Sequence, residues 1–263
     1  MRAFQPQRIG GQMGRLLMMV VIFAWGASVA YAQVPPAAIF STYFPNFFNL
    51  QEPGTLSLTI FGGGFVSDQY AVTQEGFQFE QSITRYIGAV VRTTGYQLFM
   101  GQGFADPLAP STGHSARFNF GRFQGGVDLT VWNNTHLYLL GGGDAGDSNA
   151  ADIEGDLSTW LIAHSRHPLN LLVSAVHDYQ NGVTSSSIDL RTVLASTEDY
   201  LLMAGGGGAI YGGGFVSSVA GQGGPDLGLY YRPWHAGIDA QAGYGTAHQY
   251  GQIILYKQFN WVE

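Results

Sequence analysis

The chain has 263 residues, of which 46% are hydrophobic, 14% aromatic and 11% charged, with 38 Gly, no Cys and a formal net charge of −7. Soluble domains carry about 25% charged residues and about 7% Gly, so this chain is poor in charge and rich in glycine. The missing Cys excludes a disulfide scaffold, a thiolate metal site and a Cys nucleophile. With 11 Lys plus Arg and no basic run, the composition argues against nucleic-acid binding, and the plentiful aromatic and β-branched residues argue against disorder.

Residues 1–32 read as a signal peptide. Arg2, Arg8 and Arg15 form a positive leader, Leu16–Trp25 an apolar run, and Ala30-Tyr31-Ala32 a small-x-small cleavage pattern. The run is shorter than the ~20 residues of a helical span. Its removal takes three of the 11 basic residues and leaves 8 against 18 acidic. Residues 33–54 follow, with Pro35, Pro36, Pro45 and Pro53 around Tyr43, Phe44, Phe47 and Phe48. This segment does not read as a strand. It can tuck into a lumen as a plug, dock on a protein partner or a second copy, or lie at a membrane surface.

From residue 55 to 263 the pattern has period two. In His235–Gly245, Ala236, Ile238, Ala240, Ala242 and Tyr244 share one face, and His235, Gly237, Asp239, Gln241 and Gly243 share the other. Leu169, Leu171, Val173 and Ala175 oppose Asn170, Ser174 and Asp178. Ile188, Leu190 and Leu194 oppose Asp189 and Arg191. Val127, Leu129 and Val131 oppose Gly126, Asp128 and Thr130. Five short turns are expected at Arg92–Gly95, Trp132–Thr135, Ser165–Pro168, Ser196–Asp199 and Arg232–His235, each rich in turn formers. Longer Gly/Asp/Ser-rich loops are expected at 66–76, 101–116, 144–154, 180–186, 214–225 and 245–248. Strands then start near Thr55, Phe79, Tyr96, Arg117, His136, Gly155, Leu169, Ser186, Tyr200, Asp226, Ala236 and Gln249.

Short turns alternating with longer loops around period-two strands resemble bacterial outer-membrane β-barrels of the porin-like class. Near the C-terminus, Gln249, Gly251, Ile254 and Tyr256 resemble the insertion signal of that class, although the chain runs on through Phe259 and Trp261 to Glu263. The resemblance implies an all-β, antiparallel up-and-down transmembrane barrel of about twelve strands, or ten if the first hairpin does not span. It also implies a bacterial outer-membrane location, with membrane lipids and the outer-membrane insertion machinery as partners. Closure is required, because lipid offers no partner to an open strand edge.

Projected inward, Glu80, Asp128, Asp156, Asp189, Arg191 and Asp239 face the lumen. Counted from the expected turns, Asp128, Arg191 and Asp239 lie near the periplasmic end, Asp189 at mid-height, and Glu80 and Asp156 further out. Their mostly acidic character attracts cations. The first functional reading is therefore a passive channel for small polar or cationic solutes. A non-transporting structural, adhesive or assembly-partner barrel is the alternative, and a lipid-modifying enzyme the second. For the enzyme, Ser165-x-His167 is the one Ser/His pair with strand-face spacing, and it falls in a turn. Asp144, Asp147 and Asp152, with Glu154 and Asp156, crowd one expected loop and form a Ca²⁺ candidate whose order does not match an EF-hand. No cofactor is expected. An internal echo pairs residues 60–67 with residues 210–217 around a triple Gly.

Overall fold

The structure, a computed structural model, describes residues 54–67, 70–100, 116–132, 135–147, 150–162, 167–180, 182–213, 216–245 and 248–262. The expected signal peptide and all but the last residue of segment 33–54 lie outside the described residues. Among the described residues, twelve antiparallel strands close into an up-and-down barrel. They are β1 (Thr55–Ser67), β2 (Tyr70–Thr84), β3 (Ile87–Met100), β4 (Ala116–Trp132), β5 (Thr135–Gly146), β6 (Ala151–Trp160), β7 (Leu169–Asp178), β8 (Val183–Ser196), β9 (Tyr200–Gly213), β10 (Val216–Tyr231), β11 (Ala236–Gly245) and β12 (His248–Val262). Thr55 on β1 stands opposite Val262 on β12, and the pairing continues to Ser67 opposite Tyr250, so no edge is left open.

The faces follow the alternation. On β7, Leu169, Leu171, Val173 and Ala175 face out while Asn170, Leu172, Ser174, Val176 and Asp178 are buried. Ile60, Phe77, Phe123, Leu139, Ile153, Ile188, Leu227 and Leu255 are exposed on the outside, as a lipid-facing belt requires. Tyr86, Trp132, Tyr200, Trp234 and Trp261 are exposed at the end where the strands' termini meet, and Tyr179 and Tyr244 at the opposite end. These are the aromatic rims of a membrane band.

The boundaries differ from the sequence reading in two respects. The turn expected at Arg92–Gly95 lies inside β3, and β2 and β3 join instead through Arg85 and Tyr86. The Thr84 hydroxyl oxygen accepts hydrogen bonds from the Tyr86 and Ile87 amides at 3.1 Å each and holds that turn. Thr93 and Thr94 are β-branched and suit the strand they occupy. The second difference concerns the expected loops. Apart from 101–115, the connections at the end opposite the termini run to four residues or fewer. Much of the polar, glycine-rich stretches 144–154 and 214–225, namely 144–146, 151–154 and 216–225, belongs to the strands, because a polar side chain inside the barrel is as acceptable as one in a loop. The echo dissolves for the same reason: residues 60–67 sit within β1, whereas 210–217 span the β9–β10 connection.

The excess of Gly and aromatic residues has a common cause inside the barrel. A Cβ on Gly237 would fall on the ring of Tyr256, and one on Gly76 would strike Phe61 as well as the β3 backbone. Flat rings therefore lie over side-chain-free positions of the neighbouring strand, which lets the narrow interior fill without pushing strands apart. Two apolar clusters occupy opposite corners of the interior. Phe65, Val72, Tyr96, Leu98, Phe120 and Tyr250 pack at the end away from the termini, with Tyr96 stacked on Phe120 at 4.8 Å. Leu172, Val193, Leu201, Met203 and Tyr230 pack toward the termini on the other side, with Trp160 and Tyr256 against them.

Candidate functional site: a charged lumen

Between the apolar corners the interior is charged. Among the described residues, Glu80, Asp128, Asp144, Asp152, Glu154, Asp156, Asp178, Asp189, Asp226 and Asp239 face inward together with Arg92, Arg122 and Arg191. Arg92 and Arg122 on β3 and β4 meet carboxylates of β5 and β6, Arg191 meets carboxylates of its own strand and of β10 and β11, and Glu80 and Asp128 form a group without a guanidinium, so three groups result.

The first joins β2 to β6. Arg92 donates to Glu154 at 2.8 Å, Asp156 at 3.2 Å and Gln78 at 2.9 Å. Arg122 donates to Asp144 at 2.8 Å and lies 3.1 Å from Asp152. The Gln124 amide bridges Asp152 and Glu154 at 2.8 Å each. Arg122 also lies over the Tyr96 ring at 5.8 Å, which ties the network to the aromatic corner. Every carboxylate of this wall accepts at least one hydrogen bond from the guanidinium groups or Gln124.

The second group lies nearer the termini. Glu80 and Asp128 meet across Gly88. The Tyr138 hydroxyl reaches Glu80 at 3.4 Å, and His136 Nδ1 lies 3.1 Å from Asp128. The sequence reading placed Glu80 well away from Asp128 in height. The shift of the first turn to Arg85 and Tyr86 brings it down beside Asp128.

The third group joins β8, β10 and β11. Arg191 donates to Asp189 and Asp239 at 2.7 Å each. Its Nε also stands 3.1 Å from Asp226, without the alignment of a hydrogen bond. A cavity of about 120 Å³ adjoins this group, bounded by Asp189, Arg191, Asp239, Gln74, Gln222, Gln241, Gln252 and Ile254.

Asp156, Asp189, Arg191 and Asp239 thus lie on the inner face, in two separate networks. Asp144 and Asp152 are strand residues rather than loop residues, and the guanidinium of Arg122 sits between them. Asp147, beyond β5, accepts the Asn119 amide at 2.6 Å. A shared Ca²⁺ loop is not what these three build, and among the described residues no group of three His, Asp or Glu side chains is arranged to hold a metal ion. Of the insertion-signal positions, Gln249 is exposed and Gly251 shares its outward face, whereas Ile254 and Tyr256 point inward. Ser165 lies outside the described residues, and His167 Nδ1 is 2.9 Å from the Val193 carbonyl.

The sequence reading missed Arg92, Arg122 and Asp226 as lumen residues, and took Glu154 for a loop residue. Arg122 and Gln124 continue backward the phase of Gly126 and Asp128. Asp152, Glu154 and Asp156 alternate with Ile153 and Gly155, which is itself a strand pattern.

No protein-family model matches this chain, and no curated protein matches it in sequence. Solved structures do match in fold. An outer-membrane channel from Pseudomonas putida F1 superposes with a TM-score of 0.54 at 8% identity, over 83% of this chain and 100% of that one. The beta domain of the Bordetella autotransporter BrkA gives 0.50 at 10% identity, over 80% and 100%. This chain has the fold of a bacterial outer-membrane β-barrel. The outer-membrane location expected from the sequence agrees with that fold and with the lipid-facing belt. A channel and an autotransporter domain share the architecture, so the fold alone does not select a function.

Proposed function

We propose that this barrel is a narrow passage through the outer membrane that favours small cations. The carrying observation is the imbalance of the lumen, where ten inward carboxylates face three guanidinium groups among the described residues. A wall lined by one sign of charge in a low-dielectric surround concentrates counter-ions of the other sign. Sixteen or more strands give an open water-filled channel and about eight a filled interior, so twelve strands with two packed corners leave a constricted path. The cavity beside Arg191 has room for several water-sized groups, which suits ions and very small solutes.

Planar-bilayer recording of the full chain across a potassium chloride gradient tests this. A reversal potential on the cation side of zero is expected. Absence of any current, or a preference for chloride, overturns the reading.

A further inference from the structure

Lys257 is the one lysine of the chain, and it stands exposed on the outer wall. On β12 it follows Ile253 and Leu255 in the outward row, with Ile60 of β1 opposite on one side and Ala236 of β11 on the other. Lipid tolerates a charge on this face only near the headgroups, where an anion can meet it. Three observations put the ammonium at that height. The Gln258 amide donates to the His235 carbonyl at 2.8 Å, so Lys257 is level with the β10–β11 turn, where Trp234 is exposed. Nζ lies 5.0 Å from the centre of the Phe259 ring, two residues nearer the end of the strand, so the side chain runs out toward the rim. Phe259 stacks in turn on Trp261, a rim residue, at 6.2 Å. Among the described residues Lys257 makes no salt bridge. The acids of the β8–β9 turn, Glu198 and Asp199, belong three strands away, roughly 14 Å at the usual strand spacing.

Beside Lys257 the wall has a seat. Ala236 lies between Tyr231 and Lys257 in the cross-strand register and presents only a methyl group. Tyr231, on the far side, meets Trp234 edge to face at 5.4 Å and the Tyr200 ring at 4.9 Å. A slot the width of one side chain therefore opens between an aromatic wall and an ammonium. Toward the membrane centre it leads onto Leu229, Ile238 and Leu255, exposed in one cross-strand row, and then to Ala240 between Leu227 and Ile253. A positive group at headgroup height with an apolar track running inward from it matches a lipid that carries a negative phosphate. We propose that the outer wall at Ala236 and Lys257 is a binding site for one anionic phospholipid. Lys257 donates charge-assisted hydrogen bonds to the phosphate. Ala236 leaves room for the headgroup, Tyr231 and Trp234 close the seat, and an acyl chain follows the track from Ile238 to Ala240.

The test is native mass spectrometry of the full chain, released from a neutral maltoside detergent to which phosphatidylglycerol has been added. One phosphatidylglycerol is expected to stay bound under activation that strips diacylglycerol, which has the same chains and no phosphate. Lys257→Gln lowers the occupancy about fivefold, the worth of one basic residue beside an anionic lipid, and Lys257→Arg keeps it. Ala236→Phe fills the seat at unchanged charge and also lowers the occupancy. Inorganic phosphate at the same concentration does not displace the lipid. Equal retention of diacylglycerol, displacement by inorganic phosphate, or wild-type occupancy in Lys257→Gln overturns the site. If Lys257→Gln does not fold, Ala236→Phe decides, and wild-type occupancy in that variant overturns the site as well. The readout needs no current, so the lipid site stands or falls separately from cation passage.

Discussion

The two walls of the lumen use the same ingredients to different ends. On the β2–β6 wall, two guanidinium groups serve four carboxylates, and each carboxylate accepts a hydrogen bond. On the β8–β11 wall one guanidinium serves three, and Asp226 accepts none. The first wall is a network across five adjacent strands, a brace, in which Arg122 Nη1, Asp152 Oδ2 and Asp156 Oδ1 are left without a hydrogen-bond partner. The second leaves Asp189 Oδ1 and Gln222 Oε1 without a donor beside a cavity. A charged lumen thus has two kinds of wall, one with two guanidinium groups tied across five strands and one with a single guanidinium beside a cavity.

The contrast breaks most severely on the brace. Arg122→Leu removes the donor between Asp144 and Asp152, whose side chains are 1% and 0% exposed. Taking one partner from a buried ion pair costs about 3–5 kcal/mol, and thermal unfolding in detergent should fall accordingly. If Arg191→Leu on the other wall destabilises as much, the distinction between the two walls fails.

Next in size is a steric effect. A Cβ on Gly142 would lie on the Phe123 carbonyl oxygen of the adjacent strand. Gly142→Ala is therefore expected to cost about 1–3 kcal/mol through overpacking. Gly251→Ala, with nothing near its Cβ position, serves as the control and should fall far below that. Gel mobility of heated and unheated samples checks both.

A functional effect follows. Asp239→Asn and Asp189→Asn each remove a negative charge from the cavity wall, and the reversal potential should move toward zero in each. Glu154→Gln, on the brace, should lower stability more than selectivity. Equal shifts of the reversal potential on the two walls would show that only total lumen charge matters.

The smallest effect lies outside the lumen. Thr84→Ala removes the hydroxyl that accepts the Tyr86 and Ile87 amides. About 1 kcal/mol is expected, the net worth of such hydrogen bonds, with ion selectivity unchanged.

Much of this was legible in the sequence, for a physical reason. Lipid accepts no charge and an antiparallel strand alternates its faces, so period two separates outside from inside at Ile188 and Asp189 as surely as at Ile238 and Asp239. Arg92 escaped because Thr-Thr-Gly beside it is also turn chemistry. The stretch from Asp144 to Asp156 passed for a loop because acids and glycines line a lumen as readily as they line a solvated loop. Composition cannot separate the two environments when both are polar.

What the sequence alone determined was therefore a closed barrel of about twelve strands, an apolar outside and an acidic inside, because those follow from local alternation and from the solvent. Partnership was left to tertiary structure. Which acids meet Arg92, Arg122 or Arg191 depends on register between strands far apart in the chain: 62 residues separate Arg92 from Glu154 and 48 separate Arg191 from Asp239. Alternation fixes a residue's face but not its height, and a displaced turn carries every inward group along with it. Only the closed sheet sets the heights, and with them which carboxylates a guanidinium reaches.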